Sequence, residues 1–496
     1  YWNDDKEHAV VYEIPKALKE EIIKRKPKDI EDLSIMHNYV RKRKKSESKL
    51  SLFPHQKLAI NEWILNNKTI LMEMATGTGK TRTALGCIME LLQSNESFFA
   101  IIATPQGTLS RQWKKDVEDL RITVDFQTII DGSNLRWSSE LEKLILDLSF
   151  GLYNNGIIYT THATCSDKKF IKIIEENKGD LKALFICDEV HGIGSAKQKK
   201  ALLPLYDYRI GLSATPERMF DEDGTNLIRN YFGNKSFEFT IYQALHTVNP
   251  LTGKPFLNRY LYKPIFVDLN DKEMEKYKKI TQHIIFLKNQ DDYDEKDLNI
   301  LYTKRANILK NAEHKFDAFK NVINELQDHE RIKDTISFVT EKQMPKVMNY
   351  LADQGIVREK ITEEESATKK VTNDGLTERQ NIIRNFKEGT CQILLGLKCL
   401  DEGIDIPNAR IAILLASSTN PREYIQRVGR VIRQNINKDI SIIYDLIVAP
   451  NDGSESSRQI LEKEWKRASV IAQNAENYKI VKQLFELRGV EIDVDK

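Results

Sequence analysis

The chain has 496 residues, 30% of them charged and 41% hydrophobic, with 75 basic side chains against 73 acidic ones. Such a length holds about three domains with ample material for cores, and a formal charge of +2 excludes a chain that is basic all over, so any polyanion has to be held by a local groove. No apolar run approaches the roughly 20 residues that span a bilayer. The five cysteines (Cys87, Cys165, Cys187, Cys391 and Cys399) are scattered without a Cys-x-x-Cys pair. That excludes a zinc or iron–sulfur framework and predicts reduced thiols in a cytoplasmic protein. The chain begins at Tyr1 without methionine, so no targeting signal is excluded.

Residues 1–50 are polar, with a helical stretch from Pro15 to Lys26 and the basic run Arg41-Lys42-Arg43-Lys44-Lys45, read as a solvated linker. From 51 to 240, short apolar runs alternate with helical stretches. Thr69–Met72, Phe98–Ala103, Gly156–Thr160, Leu184–Cys187 and Tyr208–Ser213 predict strands of a mostly parallel sheet wrapped by helices, an α/β fold. In 241–330 the pattern changes: strand candidates Lys235–Ile241 and Tyr262–Leu269 lead into long charged helices, read as a connector or insertion. Residues 331–450 repeat the alternation with Thr335–Val339, Gln392–Leu395, Ile411–Leu415 and Ser441–Tyr444. Polar helices fill 451–496, with Glu462–Ala475 amphipathic.

Three blocks carry chemistry. In Met74-Ala75-Thr76-Gly77-Thr78-Gly79-Lys80-Thr81, two glycines after a strand allow tight backbone whose amides point at phosphate oxygens, and a helix begins at once. Lys80 is placed to reach β and γ phosphates, and Thr81 to put its hydroxyl on Mg²⁺. The general phosphate-loop pattern has glycine where this chain has Met74; the narrower Ala-x-x-Gly-x-Gly-Lys-Thr variant fits. The second block, Asp188-Glu189-Val190-His191, closes another apolar strand. Asp188 there suits Mg²⁺ and Glu189 suits the attacking water, because phosphoryl transfer needs positioning and charge neutralisation. The third, Gln426-Arg427-Val428-Gly429-Arg430-Val431-Ile432-Arg433, offers arginines whose planar charged forks bridge phosphate oxygens.

From about Leu52 to Asp445 the chain resembles the superfamily 2 helicases and translocases. Within them it is most similar to the branch of restriction-enzyme motor subunits and DNA-repair helicases. Tyr208-Arg209-Ile210-Gly211-Leu212-Ser213-Ala214-Thr215-Pro216-Glu217-Arg218 carries that likeness together with the Asp-Glu-Val-His block. The resemblance implies two tandem RecA-like domains with an inter-domain helical insertion and terminal helical extensions, ATP and Mg²⁺ as cofactors, and a nucleic-acid partner, duplex DNA favoured over RNA. It implies that Gln56, in Phe53-Pro54-His55-Gln56, reads adenine, and that Thr76, Gly77, Thr78, Gly79, Lys80, Thr81, Gly403 and Asp405 hold nucleotide. Lys80, Asp188, Glu189, His191, Gln426, Arg430 and Arg433 become the catalytic set, with Thr81 and Asp188 on the metal. Thr104, Pro105, Thr160, Thr161, His162 and Lys398 become contacts to nucleic acid. A nuclease or other defence or repair subunit is implied as a further partner.

Other candidates are read as structural: Trp63, Trp113, Trp137 and Trp465 as packing residues, and His283, His314 and His329 as solvated surface. About 20 residues separate Asp405 from Gln426, and a strand consumes most of them, leaving no room there for a strand-splitting hairpin. The expected activity is thus translocation on duplex DNA. An ATP-switched clamp that does not travel, and an RNA helicase, are the alternatives.

Overall fold

The computed structural model describes residues 48–492 apart from 95, 219–220, 291–293, 330–331, 363–364, 366–370, 373–374, 398–408, 417–420 and 435–439. Among the described residues the chain forms two parallel sheets. The first takes β1 (Thr69–Met74), β2 (Phe98–Thr104), β3 (Phe126–Ile130), β4 (Asn155–Thr161), β5 (Lys182–Asp188), β6 (Tyr208–Ser213) and β7 (Ser236–Phe239). Their order is β3-β4-β2-β5-β6-β1-β7. The second takes β8 (Tyr260–Val267), β9 (Thr335–Phe338), β10 (Arg358–Ile361), β11 (Ile393–Gly396), β12 (Ile411–Leu414) and β13 (Ser441–Val448), in the order β10-β11-β9-β12-β13-β8. Helices cover both faces, so central strands are apolar from end to end: β2 is buried at all seven positions and β13 at all eight.

The strands expected from apolar runs are all present. The two edge strands β3 and β10 were not expected, and their composition shows why. Gln127 and Thr128, and Arg358, Glu359 and Lys360, stand where an edge meets solvent, so neither run reads as a buried strand.

The stretch 241–330 divides differently from the expected connector. β8 lies inside it yet pairs along its whole length with β13, and the His314–Asp328 helix buries Phe319, Val322 and Ile323 in the same core. What is inserted is an antiparallel hairpin of two helices, Asp271–Lys288 and Glu295–Lys310, closed by its own small cluster of Ile284, Leu298 and Leu301. The helices Glu455–Ala472 and Tyr478–Glu486 likewise belong to the second sheet's unit. Asn477 bonds the edge of β8 twice, accepting from Tyr262 N at 3.0 Å and donating to Tyr262 O at 2.8 Å, as a further strand would.

One apolar cluster runs without a break from Met72 and Ala84 of the first unit, through Phe256 and Leu257 of the segment between the sheets, to Val428 and Ile432 of the second. The units meet where the loop after β1 faces the Pro421–Val431 helix, Thr76 against Gly429. Leu257 bridges to Arg433, and Asn258 N donates to Ile432 O at 2.7 Å.

Candidate active site between the two sheets

β1 delivers the chain into the phosphate loop, and the Lys80–Gln93 helix leaves it. Gly77 (φ +89°) and Gly79 (φ +92°) hold left-handed backbone, and a Cβ on Gly79 would lie 2.2 Å from Gln56 Nε2. The turn is pinned from inside by Thr78 Oγ1, which donates to Ala75 O at 2.7 Å. From outside, Gln56 Nε2 donates to Thr78 O (3.1 Å) and His55 Nε2 lies 3.0 Å from the same oxygen. Gln56 Oε1 accepts from Phe53 N at 2.9 Å, so this fully buried amide braces the loop. His55 stacks on Phe239 with ring centres 4.1 Å apart and meets Phe256 edge-on, and burial holds its pKa below the ordinary histidine value. Lys80 Nζ donates to Met74 O at 3.2 Å, inside the turn that its ammonium closes.

Two strands along, β5 ends on Asp188. Its Oδ1 accepts from Glu189 N at 3.0 Å and its Oδ2 from Trp113 Nε1 at 2.9 Å. Burial pushes the Asp188 carboxyl up, while Trp113 and the Lys80 charge pull the other way. Glu189 sits in left-handed backbone (φ 48°, ψ 55°), a strained conformation for glutamate of the kind found at functional sites. Its Oε2 lies 3.5 Å from His191 Nδ1. The Ser213–Arg218 segment reaches the same place. Arg218 Nη1 donates to His191 O, and Arg218 Nε bonds Asp221 Oδ2 at 2.7 Å.

The second unit closes the cleft. Gly429 packs on Thr76, where a Cβ would come within 3.0 Å of the threonine Cβ. The Arg433 side chain lies over Gly77, its Cγ 3.2 Å from where a Cβ would stand. Gln426 and Arg430 are buried on the same helix. Arg427, between them, instead anchors that helix, donating to Ala416 O at 2.5 Å and lying over the Phe338 ring. Lys80, Asp188, Glu189 and His191 thus lie together at the phosphate loop, with Arg433 reaching it from the second unit and Thr81 and Arg430 next in sequence to Lys80 and Gly429, while Gly403, Asp405 and Lys398 lie outside the described residues.

Of the expected nucleic-acid contacts, Thr104, Thr160 and His162 have buried side chains. Thr104 Oγ1 is 2.8 Å from Ser110 Oγ, and His162 Nε2 is 2.9 Å from Asp188 O. Burial pushes the His162 imidazole down to about 4, so it is neutral at pH 7. These three side chains fix strand ends instead of facing a groove; Pro105 and Thr161 are partly exposed beside them. His55 and Arg218 were not singled out from sequence for any contact here, and Trp113, read as a packing residue, is buried but also bonds Asp188. Their signal was adjacency to motifs, but a partner 75 positions away, as Trp113 has, leaves no local pattern.

The donor set fits a magnesium nucleotide: hard oxygens on Thr81 and Asp188, a lysine, and a glycine cradle that a Cβ would obstruct. Among the described residues no cluster of three or more His, Cys, Asp or Glu offers another metal site, and no helix is long and apolar enough to cross a membrane.

Residues 49–218 match the family model described as "Type III restriction enzyme, res subunit", and residues 314–435 match "Helicase conserved C-terminal domain". The chain belongs to superfamily 2 of the helicases and translocases. It is 24% identical over 408 residues to the DNA 3'-5' translocase XPB2 of Sulfurisphaera tokodaii, covering 78% of this chain and 80% of that one. It is 25% identical over 399 residues to putative helicase 22 of a Sulfolobus islandicus filamentous virus, covering 78% of this chain and 63% of that one. The helicase domain of Hef from Pyrococcus furiosus aligns in structure with a TM-score of 0.49 at 14% identity, over 82% of this chain and 96% of that chain. The α/β class expected from the sequence, two parallel sheets wrapped by helices, is the one observed.

Proposed function

We propose that this superfamily 2 protein couples ATP hydrolysis to movement along duplex DNA. The observation that carries the reading is the direct seating of the Gln426–Arg433 segment on the phosphate loop, Gly429 on Thr76 and Arg433 on Gly77. A nucleotide held there lies between the two units, so its γ-phosphate decides whether they close.

In this reading the loop amides and Lys80 bind the triphosphate tail. Thr81 and Asp188 hold Mg²⁺, which when bound neutralises phosphate charge. Glu189, held in a fixed backbone conformation, orients the attacking water and takes its proton. Arg430 and Arg433 stabilise the charge that develops as the terminal phosphoryl leaves. His191 and Arg218 tie this centre to the Ser213–Pro216 segment, and release of phosphate frees the units to part. DNA is favoured over RNA because a relative's name describes a DNA translocase and the first family model is of a restriction enzyme. Travel is favoured over strand separation because the short stretch before Gln426 leaves no room for a splitting hairpin. A nuclease or other defence or repair subunit is the partner this reading implies.

The test is steady-state ATP hydrolysis with no nucleic acid, duplex DNA, single-stranded DNA and RNA, with Glu189→Gln as the blank, followed by displacement of a triplex-forming strand. Stimulation by duplex DNA together with triplex displacement supports the reading. Stimulation by RNA alone moves the protein to RNA remodelling. Hydrolysis without triplex displacement leaves a clamp that does not travel.

A further inference from the structure

The Gly107–Asp119 helix begins just past the end of β2, at the Ala103-Thr104-Pro105 loop. Its first turn is tied to neighbouring strand ends, since Ser110 Oγ donates to Thr160 O at 3.0 Å and lies 2.8 Å from Thr104 Oγ1. Less than one turn further on, Trp113 is 2% exposed, and its indole N–H donates to Asp188 Oδ2 at 2.9 Å. With Glu189 N on Oδ1, each oxygen of that carboxylate has one fixed protein donor and a remaining lone pair directed elsewhere.

A tryptophan that only fills a core needs no such partner. Trp63 lies in the same apolar cluster, and its buried Nε1 has no hydrogen-bond partner among the described residues. The Trp113 bond is therefore not a general consequence of burying an indole in this core.

We propose that Trp113 is a positioning residue: its N–H holds the Asp188 carboxylate in the orientation that takes the metal, and its helix makes that orientation answer to the loop at the end of β2. The proposal rests on Asp188 being the metal carboxylate. Because the loop, the helix and the carboxylate form one chain of fixed contacts, a nucleic-acid backbone pressing on Pro105 shifts the indole and with it Asp188.

Trp113→Phe keeps an aromatic ring in the core and removes the N–H. In the full chain, binding of a fluorescent ADP is titrated with Mg²⁺ and repeated in chelator without metal. The variant is expected to bind ADP alone as wild type does and to need about 10–100-fold more Mg²⁺ for the metal-dependent gain, as lost outer-shell partners of metal ligands typically cost. In an Asp188→Ala background the effect of Trp113→Phe should vanish, because the two act through one bond. Wild-type Mg²⁺ dependence in Trp113→Phe overturns the proposal, as does a full shift that persists on Asp188→Ala. Should Asp188→Ala itself leave the Mg²⁺ requirement unchanged, the metal reading of Asp188 fails first and the proposal falls with it. For wild-type protein carrying fluorotryptophan, fluorine NMR is expected to show the Trp113 resonance moving when Mg²⁺ is added to the ADP complex; an unmoved resonance counts against the proposal even where the variant folds poorly.

Discussion

Arg467 is the substitution whose consequences can be worked furthest from the structure. Its guanidinium, 3% exposed, donates to Asp445 Oδ2 at 2.8 Å and Oδ1 at 3.3 Å, and to Glu464 Oε2 at 2.6 Å, while lying over the Tyr424 ring. Asp445, fully buried in β13, also accepts from Tyr262 OH at 2.6 Å and Tyr424 OH at 2.7 Å. The node thus joins the edge strand β8, the helix that carries Arg430, and the Glu455–Ala472 helix. Arg467→Met removes the charge but fills much of the space. Stripping one partner from a buried pair costs about 3–5 kcal/mol, and the two tyrosine hydroxyls that remain on Asp445 place this case near ~3 kcal/mol. In a unit of roughly 230 residues, each kcal/mol lowers the melting midpoint by about 2–4 °C, so a fall of about 6–12 °C is expected by thermal unfolding. Acid adds a second check. Burial alone would raise the Asp445 carboxyl, but the Arg467 charge and the hydrogen bonds hold it below the usual carboxylate value. A depressed folded pKa contributes stability above the unfolded value, lost as pH falls through the folded one. Without Arg467, burial prevails, the folded pKa rises, and protonation relieves the penalty. The deficit between wild type and Arg467→Met is therefore expected to shrink as pH falls from 7 towards the carboxylate range. A variant within about 1 kcal/mol of wild type at pH 7, or a deficit that grows on acidification, refutes the argument.

Gly79→Ala puts a methyl 2.2 Å from Gln56 Nε2 in a left-handed backbone, so nucleotide affinity measured by equilibrium binding should fall sharply, with a stability loss of about 1–3 kcal/mol in unfolding titrations. Gly429→Ala meets Thr76 at 3.0 Å on the opposite wall; ADP binding should survive while ATP turnover drops, because the methyl opposes closure and leaves the cradle alone. Arg430→Ala or Arg433→Ala should leave ATP affinity within a few-fold and cut kcat by about 10³-fold or more, the usual worth of an arginine finger, read by single-turnover hydrolysis. Tight binding with unchanged turnover would remove both residues from the chemistry.

Much of this architecture was legible because parallel strands buried on both faces read as uninterrupted apolar runs, as in Phe98–Ala103 and Leu184–Cys187. The glycine turn after β1 was legible for a related reason: a phosphate cradle demands glycines, a lysine and a hydroxyl within eight residues, and local demands leave local patterns. What could not be read is whatever depends on contacts between distant segments. Tyr262–Leu269 was visible as a strand, yet only its pairing with β13, across almost two hundred positions, shows that it belongs to the second sheet. Thr104, Thr160 and His162 sit at strand ends that suggest a nucleic-acid grip, but only packing reveals that their side chains point inward.

The braces on the cleft differ in kind on its two sides. Around the phosphate loop they are short: Thr78, His55 and Gln56 all act on one turn, so the cradle is preformed. Around the carboxylates and arginines they run outward: Trp113 to the loop after β2, Arg218 to the segment after β6, Tyr424 through Asp445 to the C-terminal helices. On the proposed function, binding of nucleotide draws on rigid local structure, whereas placing Asp188, Glu189 and the arginines draws on elements that end at other surfaces. In that reading such a site holds ATP through its own loop and completes its hydrolytic arrangement only when those outer surfaces are in register. That is the physical requirement for an ATPase whose turnover answers to its track.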